Sequence, residues 1–264
     1  MRTTASTAGF DPSAESCDAL LGGRLRLIQP RRGFRAGMDS LLLAASVPAR
    51  EGDSALDLGC GAGAAVLALG VRVRGLGLAG LEVQPAYAAL ARRNALLNGL
   101  GLEVWEGDVA MPPPGLGGRA FDRVLMNPPF FDRRASVRAA DPGREAAQGA
   151  RAPISAWLAL AARRLRPGGT LSAIHRVEAL PALLGALPGT LGSVAVLPLA
   201  PRPGRPPRSV LVRAVKGGRA PFALLAPLAL HAAPRHLRDG EDLTPWARAV
   251  LRDGAALPWG PPPD

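Results

Sequence analysis

The tetrad Asn127-Pro128-Pro129-Phe130 combines residue types that can hold and orient an amino group. It follows the largely apolar run 121–125, which predicts a buried strand, and two consecutive prolines cannot extend a sheet. The side-chain oxygen of Asn127 and the carbonyl oxygen of Pro128 are therefore left as a pair of acceptors for one planar NH2 group. Phe130 supplies a flat face for stacking. Because Asn-Pro is also common in ordinary turns, this interpretation depends on the residues upstream.

Three acidic residues lie at the ends of three successive predicted strands: Asp57, Glu82 and Asp108. Asp57 precedes a glycine-rich turn, DLGCGAG, that leads into a predicted helix, and glycines in such turns let a ligand approach the backbone. The glycines of this turn are Gly59, Gly61 and Gly63. A carboxylate at the position of Glu82 can accept both ribose hydroxyls of an adenosine, and Asp108 can accept from an adenine amino group.

The glycine-rich turn alone leaves two enzyme classes open. Its sequence also satisfies the looser dinucleotide fingerprint, so a hydride-transfer enzyme is an alternative. Asp57 argues against a dinucleotide, because a carboxylate at the strand end repels a pyrophosphate and attracts an ammonium or sulfonium group. A single acid of this kind is most often a solvated turn residue, whereas three acids at the ends of successive strands favour a binding site.

The elements that must position these residues alternate between strands and helices. Strands are predicted at residues 54–58, 77–82, 102–108, 121–125, 170–174, 194–199 and 209–215, with an edge strand at 223–230. Helices are predicted at residues 41–47, 64–69, 84–98, 152–165, 177–187 and 244–252. Asp39 is the expected N-cap of the first helix, where it can also contact a ligand. This alternation predicts an α/β fold with a parallel sheet.

A single domain is expected over residues 23–255, with a flexible N-terminus at 1–22 and a flexible tail at 256–264. Two hairpins are predicted within this domain. The first covers residues 24–36 and carries five arginines, and the second covers residues 194–215 and has a stiff, basic connecting loop. Both hairpins would present positive charge to a partner.

The charge of the chain indicates a polyanionic partner. The net charge is +11 over 264 residues, and from Ala179 to Arg238 there are eight basic residues and no acidic one. An arginine-rich composition is the alternative explanation, because Lys216 is the only lysine. The arginines of the two hairpins are the candidate phosphate contacts: Arg31, Arg32, Arg35, Arg202, Arg205 and Arg208.

The cysteines and histidines indicate neither a disulfide framework nor a metal site. Cys17 and Cys60 are too few for such a framework, and the three histidines lack the spacing of metal ligands. The N-terminus shows no signal-peptide pattern, and no apolar run without charge or proline reaches about 18 residues. We therefore expect a soluble, cytoplasmic protein without a metal ion.

Taken together, these motifs resemble those of class I S-adenosylmethionine-dependent methyltransferases that act on amino groups. The glycine-rich turn after Asp57 corresponds to the cofactor loop of that family, Glu82 to its ribose acid and Asp108 to its adenine acid. The tetrad at residues 127–130 corresponds to its NPPF or NPPY motif.

Two further stretches resemble one group within this family, the bacterial tRNA1(Val) adenine-N6 methyltransferases. They are GFRAGMDSLLL at residues 33–43 and LRPGG at residues 165–169. The resemblance to the family as a whole extends over residues 24–252.

The resemblance implies a Rossmann-like fold, namely a doubly wound, mostly parallel seven-stranded sheet with the site at the carboxyl ends of its strands. It also implies S-adenosyl-L-methionine as the cofactor and RNA, in this group a tRNA, as the partner. The implied cofactor contacts are Asp39, Asp57, Gly59, Gly61, Gly63, Glu82, Asp108 and Asn127. The implied catalytic residues are Asn127, Pro128, Pro129 and Phe130, with the target base taken out of its stack.

Besides hydride transfer, three other functions remain open from the sequence. A protein glutamine N5-methyltransferase and a ribosomal RNA guanine-N2 methyltransferase can use the same acceptors, since each substrate presents a planar NH2 group. A non-catalytic RNA-binding module would need only the positive charge and would leave the tetrad and the three acids unexplained. A monomer is expected, with a dimer left open.

Overall fold

A computed structural model describes residues 11, 13–129, 152–234, 242–257 and 259. In this part of the chain, one sheet has two strands and forms an N-terminal hairpin, and the other has nine strands. Helices pack on both faces of the larger sheet. None of the helices described here has the length and apolar character needed to cross a bilayer.

The strands fall into three groups. The hairpin consists of β1 (Glu15–Leu20) and β2 (Leu25–Pro30). Four parallel strands carry the candidate motifs: β3 (Ser54–Leu58), β4 (Gly77–Glu82), β5 (Leu102–Glu106) and β6 (Phe121–Met126). The rest of the large sheet consists of β7 (Leu165–Arg176), β8 (Leu191–Ala200), β9 (Ser209–Lys216), β10 (Ala223–Leu224) and β11 (Leu228–Ala229).

The strand order of the large sheet is β10-β8-β9-β7-β6-β3-β4-β5, and β11 also pairs with β8. Neighbouring strands are parallel except that β9 runs antiparallel to both β7 and β8. Seven strands have five or more residues, which confirms the expected mostly parallel seven-stranded sheet, and two short strands extend its edge. The chain order reverses direction between β3 and β6, and open α/β sheets bind ligands at such a switch point.

Seven helices lie in the described residues: α1 (Met38–Ser46), α2 (Ala64–Arg72), α3 (Pro85–Leu97), α4 (Pro114–Gly117), α5 (Ile154–Arg164), α6 (Leu180–Gly185) and α7 (Pro245–Asp253). Alternate side chains of a strand point to opposite faces, so both faces of the sheet acquire a core. On β6, Leu125 packs in the core under α1 and α2, whereas Val124 and Met126 pack in the core under α5.

The N-terminal hairpin lies upstream of its predicted position. The structure pairs Glu15 with Pro30 and Leu20 with Leu25, so the hairpin precedes most of residues 24–36, and residues 15–20 are not a flexible lead-in. Leu25 and Leu27 are fully buried and fix β2 to the core. The residues after Pro30 form a bend because they lack the alternating apolar side chains that a second strand would need.

Three local predictions differ from the structure. LRPGG does not precede β7 as a turn but lies within this strand. The pairing of β7 with β6 is irregular there: the register shifts between Phe121 and Arg123, and Gly168 has a φ of 74°. Gly37, not Asp39, is the N-cap of α1, and Asp39 lies in the first turn. In the C-terminal tail, Leu257 is buried and the Trp259 indole donates to the Ser46 carbonyl at 2.9 Å, so these residues are packed.

Candidate active site

The carboxyl ends of four parallel strands bring the sequence motifs to one edge of the sheet. Leu58 of β3 pairs with Leu81 of β4 on one side and with Met126 of β6 on the other. Glu82 of β4 pairs with Glu106 of β5. The glycine-rich turn, Glu82, Asp108 and the tetrad therefore begin at the same level of the sheet.

A cavity of about 400 Å³ opens at this edge. Its lining includes seven of the predicted site residues: Gly59, Gly61, Glu82, Asp108, Asn127, Pro128 and Pro129. A smaller cavity of about 30 Å³ adjoins it and is lined by polar groups that include Gln29, Ser40 and Asp57. Asn127 lines both cavities, so it stands where the two spaces meet.

Glu82 connects the end of β4 to the glycine-rich turn. The side chain is 5% exposed, and its two carboxylate oxygens accept the backbone N–H groups of Gly61 and Gln84, each at 2.9 Å. Each carboxylate oxygen has a further lone pair. Glu82 is thus held in a fixed orientation and can still accept hydroxyl groups from a ligand in the larger cavity.

Asp57 is a buried carboxyl group with no ion-pair partner in the described part of the chain. Burial raises its pKa well above the ordinary value, the charge of Glu82 raises it further, and the backbone N–H of Val66 in α2 partly opposes these effects. The charged form is therefore costly in the ligand-free protein. A cationic ligand in the smaller cavity would stabilise that form.

The three predicted glycines serve different purposes. Gly61 has a φ of 55° and open space around it, with the Phe34 ring 3.9 Å from the position of a Cβ, so it is open to the cavity. A Cβ on Gly59 would lie 2.5 Å from the Trp157 ring, so this glycine makes room for a side chain of the protein. Gly63 begins α2 with a φ of 87° and faces Leu67, and it lines neither cavity described here.

Asp108 and the first three residues of the tetrad also line the larger cavity. One oxygen of Asp108 accepts the backbone N–H of Ala110 at 2.7 Å, which fixes the carboxylate at the rim. The Asn127 side chain makes no hydrogen bond to another described residue, so its amide remains available to a ligand. Pro128 is buried and Pro129 is partly buried, while Phe130 lies outside the described residues.

Asp39 and His175 lie on the β7 side of the site. Burial raises the pKa of Asp39, and the charge of Arg176 opposes this effect. Asp39 lines neither cavity described here, so its role as a cofactor contact stays a prediction. His175 is 6% exposed, and burial together with Arg176 lowers its pKa and favours the neutral imidazole. Its Nδ1 accepts the backbone N–H of Arg176 at 2.8 Å.

Two of the predicted phosphate contacts are engaged in intramolecular bonds. Arg35 donates to Asp18 at 2.7 Å and to the Pro30 carbonyl at 2.8 Å, which fixes the exit of the hairpin. Arg202 forms an ion pair with Asp242 and donates to the Ala233 carbonyl at 2.9 Å. These guanidinium groups therefore have a structural role in the chain, and RNA contact by any of the six predicted arginines stays a prediction.

Three aromatic residues of the larger cavity were not among the predicted site residues. Phe34 is 60% exposed and lines both cavities, and its carbonyl accepts the Tyr87 hydroxyl at 3.0 Å. Trp157 of α5 is 7% exposed and lies against Gly59. The sequence offered one signal, because Phe34 interrupts a run of arginines and glycines. Tyr87 and Trp157 carried no local signal, since each lies within an amphipathic helix.

No group of three or more His, Cys, Asp or Glu side chains in the described residues is arranged to hold a metal ion.

Comparison with known proteins identifies the family of this chain. The family model described as the methyltransferase small domain matches residues 35–195, more than half of the chain. A ribosomal RNA small subunit methyltransferase C from Aeromonas hydrophila is 39% identical over 93 residues, which cover 35% of this chain and 26% of the relative. A tRNA1(Val) (adenine(37)-N6)-methyltransferase from Porphyromonas gingivalis is 29% identical over 164 residues, 57% of this chain and 62% of the relative.

A third relative has a protein substrate in its name. A release factor glutamine methyltransferase from Geobacter sulfurreducens is 36% identical over 76 residues, which cover 29% of this chain and 26% of the relative. The chain thus spans between about a quarter and less than two thirds of the length of these relatives.

Solved structures share the fold. A structure from Agrobacterium tumefaciens, described as a predicted O-methyltransferase, has a TM-score of 0.67 at 28% identity and covers 83% of this chain and 97% of that chain. The Thermus thermophilus 16S rRNA guanine-N2 methyltransferase in complex with AdoMet and guanosine has a TM-score of 0.52 at 21% identity, covering 76% and 50%. The protein therefore belongs to the methyltransferase small domain family and has the Rossmann-like fold of class I methyltransferases.

Proposed function

We propose that this protein transfers a methyl group from S-adenosyl-L-methionine to the exocyclic N6 amine of an adenine in a tRNA, the adenine at position 37 of a valine tRNA being the first candidate. The observation that carries this proposal is the Asn127 amide. It has no hydrogen bond within the described residues, stands between the two cavities and is followed by two prolines that line the larger one.

The residues of the two cavities fit the proposed cofactor. Glu82 and Asp108 line the larger cavity and suit the ribose hydroxyls and the adenine amino group. Asp57 supplies a buried, unpaired carboxylate beside the smaller cavity and suits the ammonium group of the methionine moiety. A dinucleotide would instead bring a pyrophosphate towards this carboxylate, which disfavours the hydride-transfer alternative.

The main contribution of the protein to the proposed reaction is to orient the exocyclic amine of the substrate. When bound, S-adenosylmethionine supplies a methyl group on a positively charged sulfur. An exocyclic amine is a poor nucleophile because its lone pair is shared with the ring. If the side-chain oxygen of Asn127 and the carbonyl oxygen of Pro128 accept its two hydrogens, the nitrogen becomes pyramidal and its lone pair points at the methyl group. Once methylated, the nitrogen carries the positive charge and releases one proton to water, so no strong base is required.

Two alternative substrates meet the same acceptors. A glutamine carboxamide and the N2 amine of guanine each present two hydrogens, and relatives named for a release factor and for ribosomal RNA both match parts of this chain. The net charge of +11 favours a nucleic acid over a protein substrate. The tRNA1(Val) methyltransferase relative is matched over 62% of its own length, whereas two ribosomal RNA relatives are matched over 26% and 35% of theirs, which favours adenine over guanine.

One experiment separates these substrates. The protein is incubated with methyl-labelled S-adenosylmethionine, total RNA and ribosomal proteins with release factors from a strain lacking the enzyme, and the modified nucleoside or residue is identified by mass spectrometry. We expect label in N6-methyladenosine of the tRNA fraction. Label in N2-methylguanosine or in N5-methylglutamine would overturn the adenine assignment, and absence of label in all fractions would overturn the proposed activity.

A further inference from the structure

Exposed arginines gather on the β7 side of the site. Arg176 ends β7, and its register partner is Ser209, the first residue of β9. Arg208 immediately precedes Ser209, and its carbonyl accepts the backbone N–H of Val177 at 3.0 Å. The loop between β8 and β9 therefore lies beside the carboxyl end of β7.

This end of β7 is close to the tetrad. β7 pairs with β6, where Met126 is the register partner of Ala173, so Asn127 and Arg176 leave the same edge of the sheet. Adjacent strands lie about 4.8 Å apart and rise about 3.3 Å per residue, which places Arg176 roughly 10 Å beyond the end of β6. Phosphates that flank a base held at Asn127 would pass over this region.

The guanidinium groups in this region differ in what they already bind. Arg205 and Arg208 are exposed and have no ion pair in the described residues, whereas Arg202 of the same loop is paired with Asp242. Arg176 is also exposed, and its charge acts on Asp39 and His175 at the site. One exposed acid, Glu178, lies nearby. Within the described residues, three positive charges therefore lie near two acids, the exposed Glu178 and the partly buried Asp39.

We infer that Arg176, Arg205 and Arg208 form a phosphate-binding rim that holds the RNA backbone beside the target nucleotide, while Arg202 only fixes the loop. This inference rests on the proposed function, because it assumes an RNA substrate. It adds Arg176 to the contacts expected from the sequence, and it assigns the RNA to one side of the pocket.

The test compares two triple variants with equal loss of charge. The rim variant carries Arg176→Ser, Arg205→Ser and Arg208→Ser. The control variant carries Arg50→Ser, Arg74→Ser and Arg163→Ser. These three arginines are exposed like those of the rim, but they precede strands at the opposite edge of the sheet. Binding of an unmodified valine tRNA transcript is measured over a range of salt concentrations, and binding of S-adenosylhomocysteine is measured to verify folding.

The rim variant should show a log-affinity against log-salt slope that is smaller by about 2 to 3, since each lost phosphate contact removes 0.7 to 0.9. The control variant should keep nearly the wild-type slope. A wild-type slope in the rim variant would overturn the rim. An equal loss of slope in both variants would also overturn it and would leave overall charge as the explanation. Methylation of RNA by the wild type is measured separately. If the wild type labels RNA and the rim variant keeps the wild-type salt slope, the rim alone is refuted. If the wild type labels no RNA, both proposals are refuted.

Discussion

Asn127 is the residue whose change tests the proposed chemistry most directly, because the proposal places its amide against the substrate amine. Replacement by Ala removes one oriented acceptor, and losses of this kind lower the rate by on the order of 10²-fold or more. We expect Asn127→Ala to lose methyl transfer to RNA by at least this factor in single-turnover measurements. Calorimetry on the same variant should show nearly unchanged affinity for S-adenosylhomocysteine. A folded variant with near wild-type turnover would contradict the role of the tetrad.

Asp57 connects ligand binding to stability through its raised pKa. On unfolding the pKa returns towards the ordinary value of 3.8, so above about pH 4 the unfolded carboxyl loses its proton more readily than the native one. The unfolded state then binds fewer protons, and the free energy of unfolding falls as pH rises until the native group has also ionised. Burial of this carboxyl group therefore destabilises the ligand-free protein at neutral pH.

Asp57→Asn should therefore stabilise the ligand-free protein at neutral pH, and the gain should shrink as pH falls towards about 4. The amide oxygen of Asn still faces the Val66 N–H, so the local packing is retained. Urea unfolding of both proteins at several pH values measures the gain, and calorimetry should show weaker binding of S-adenosylhomocysteine, which carries the ammonium group. A pH-independent gain, or unchanged affinity, would contradict this account.

At the scale of elements, Asn94 of α3 and Asn98, the C-cap of that helix, form hydrogen bonds to the backbone of β2 as a neighbouring strand would. Asn94 is fully buried; it accepts the Ile28 N–H at 2.7 Å and donates to the carbonyls of Ile28 and Ala62, each at 2.9 Å. Asn98 makes the equivalent pair of bonds to Arg26, at 2.8 and 2.7 Å. Only Asn94 also reaches the glycine-rich turn, through Ala62.

Asn94→Ala should lower the free energy of unfolding by several kcal/mol, since each buried polar group left without a partner costs about 1 to 3 kcal/mol. It should also weaken cofactor binding, because the glycine-rich turn loses its bond to α3. Asn98→Ala is the matched control: it removes bonds of the same kind at a partly exposed position and should leave cofactor affinity unchanged. Equal effects of the two variants on calorimetric affinity would show that Asn94 does not position the turn.

Elements with strong local patterns could be predicted from the sequence, and elements held by distant partners could not. The run FDRVL predicted β6 and the end of that strand, because buried parallel strands are largely apolar and prolines stop them. β1 lacked such a pattern; its Glu15 is held by Arg93 at 2.8 Å, a partner 78 residues away. The same holds for Trp157, which reaches Gly59 only after the sheet has formed.

At the scale of the whole molecule, the sheet brings the residues that suit the cofactor and the substrate to one edge, while the positive charge is spread more widely. The acids that suit the cofactor lie at the ends of β3, β4 and β5, and the arginines of the phosphate-binding rim lie beyond β7. Exposed arginines such as Arg50 and Arg74 also lie at the opposite edge. Part of the net positive charge therefore reflects an arginine-rich composition, and part of it lies beside the site.

Because the residues that suit the cofactor come from several strands, ligand binding should stabilise the whole fold. A ligand at 100 times its Kd adds about 2.7 kcal/mol to the free energy of unfolding, and each kcal/mol raises the Tm of a chain of this size by about 2 to 4 °C. S-adenosylhomocysteine should thus raise the Tm by roughly 5 to 10 °C in a thermal shift assay. NAD at the same concentration should produce no comparable shift, because its pyrophosphate would approach the buried carboxylate of Asp57. A larger shift with NAD would contradict the assignment of the cofactor site.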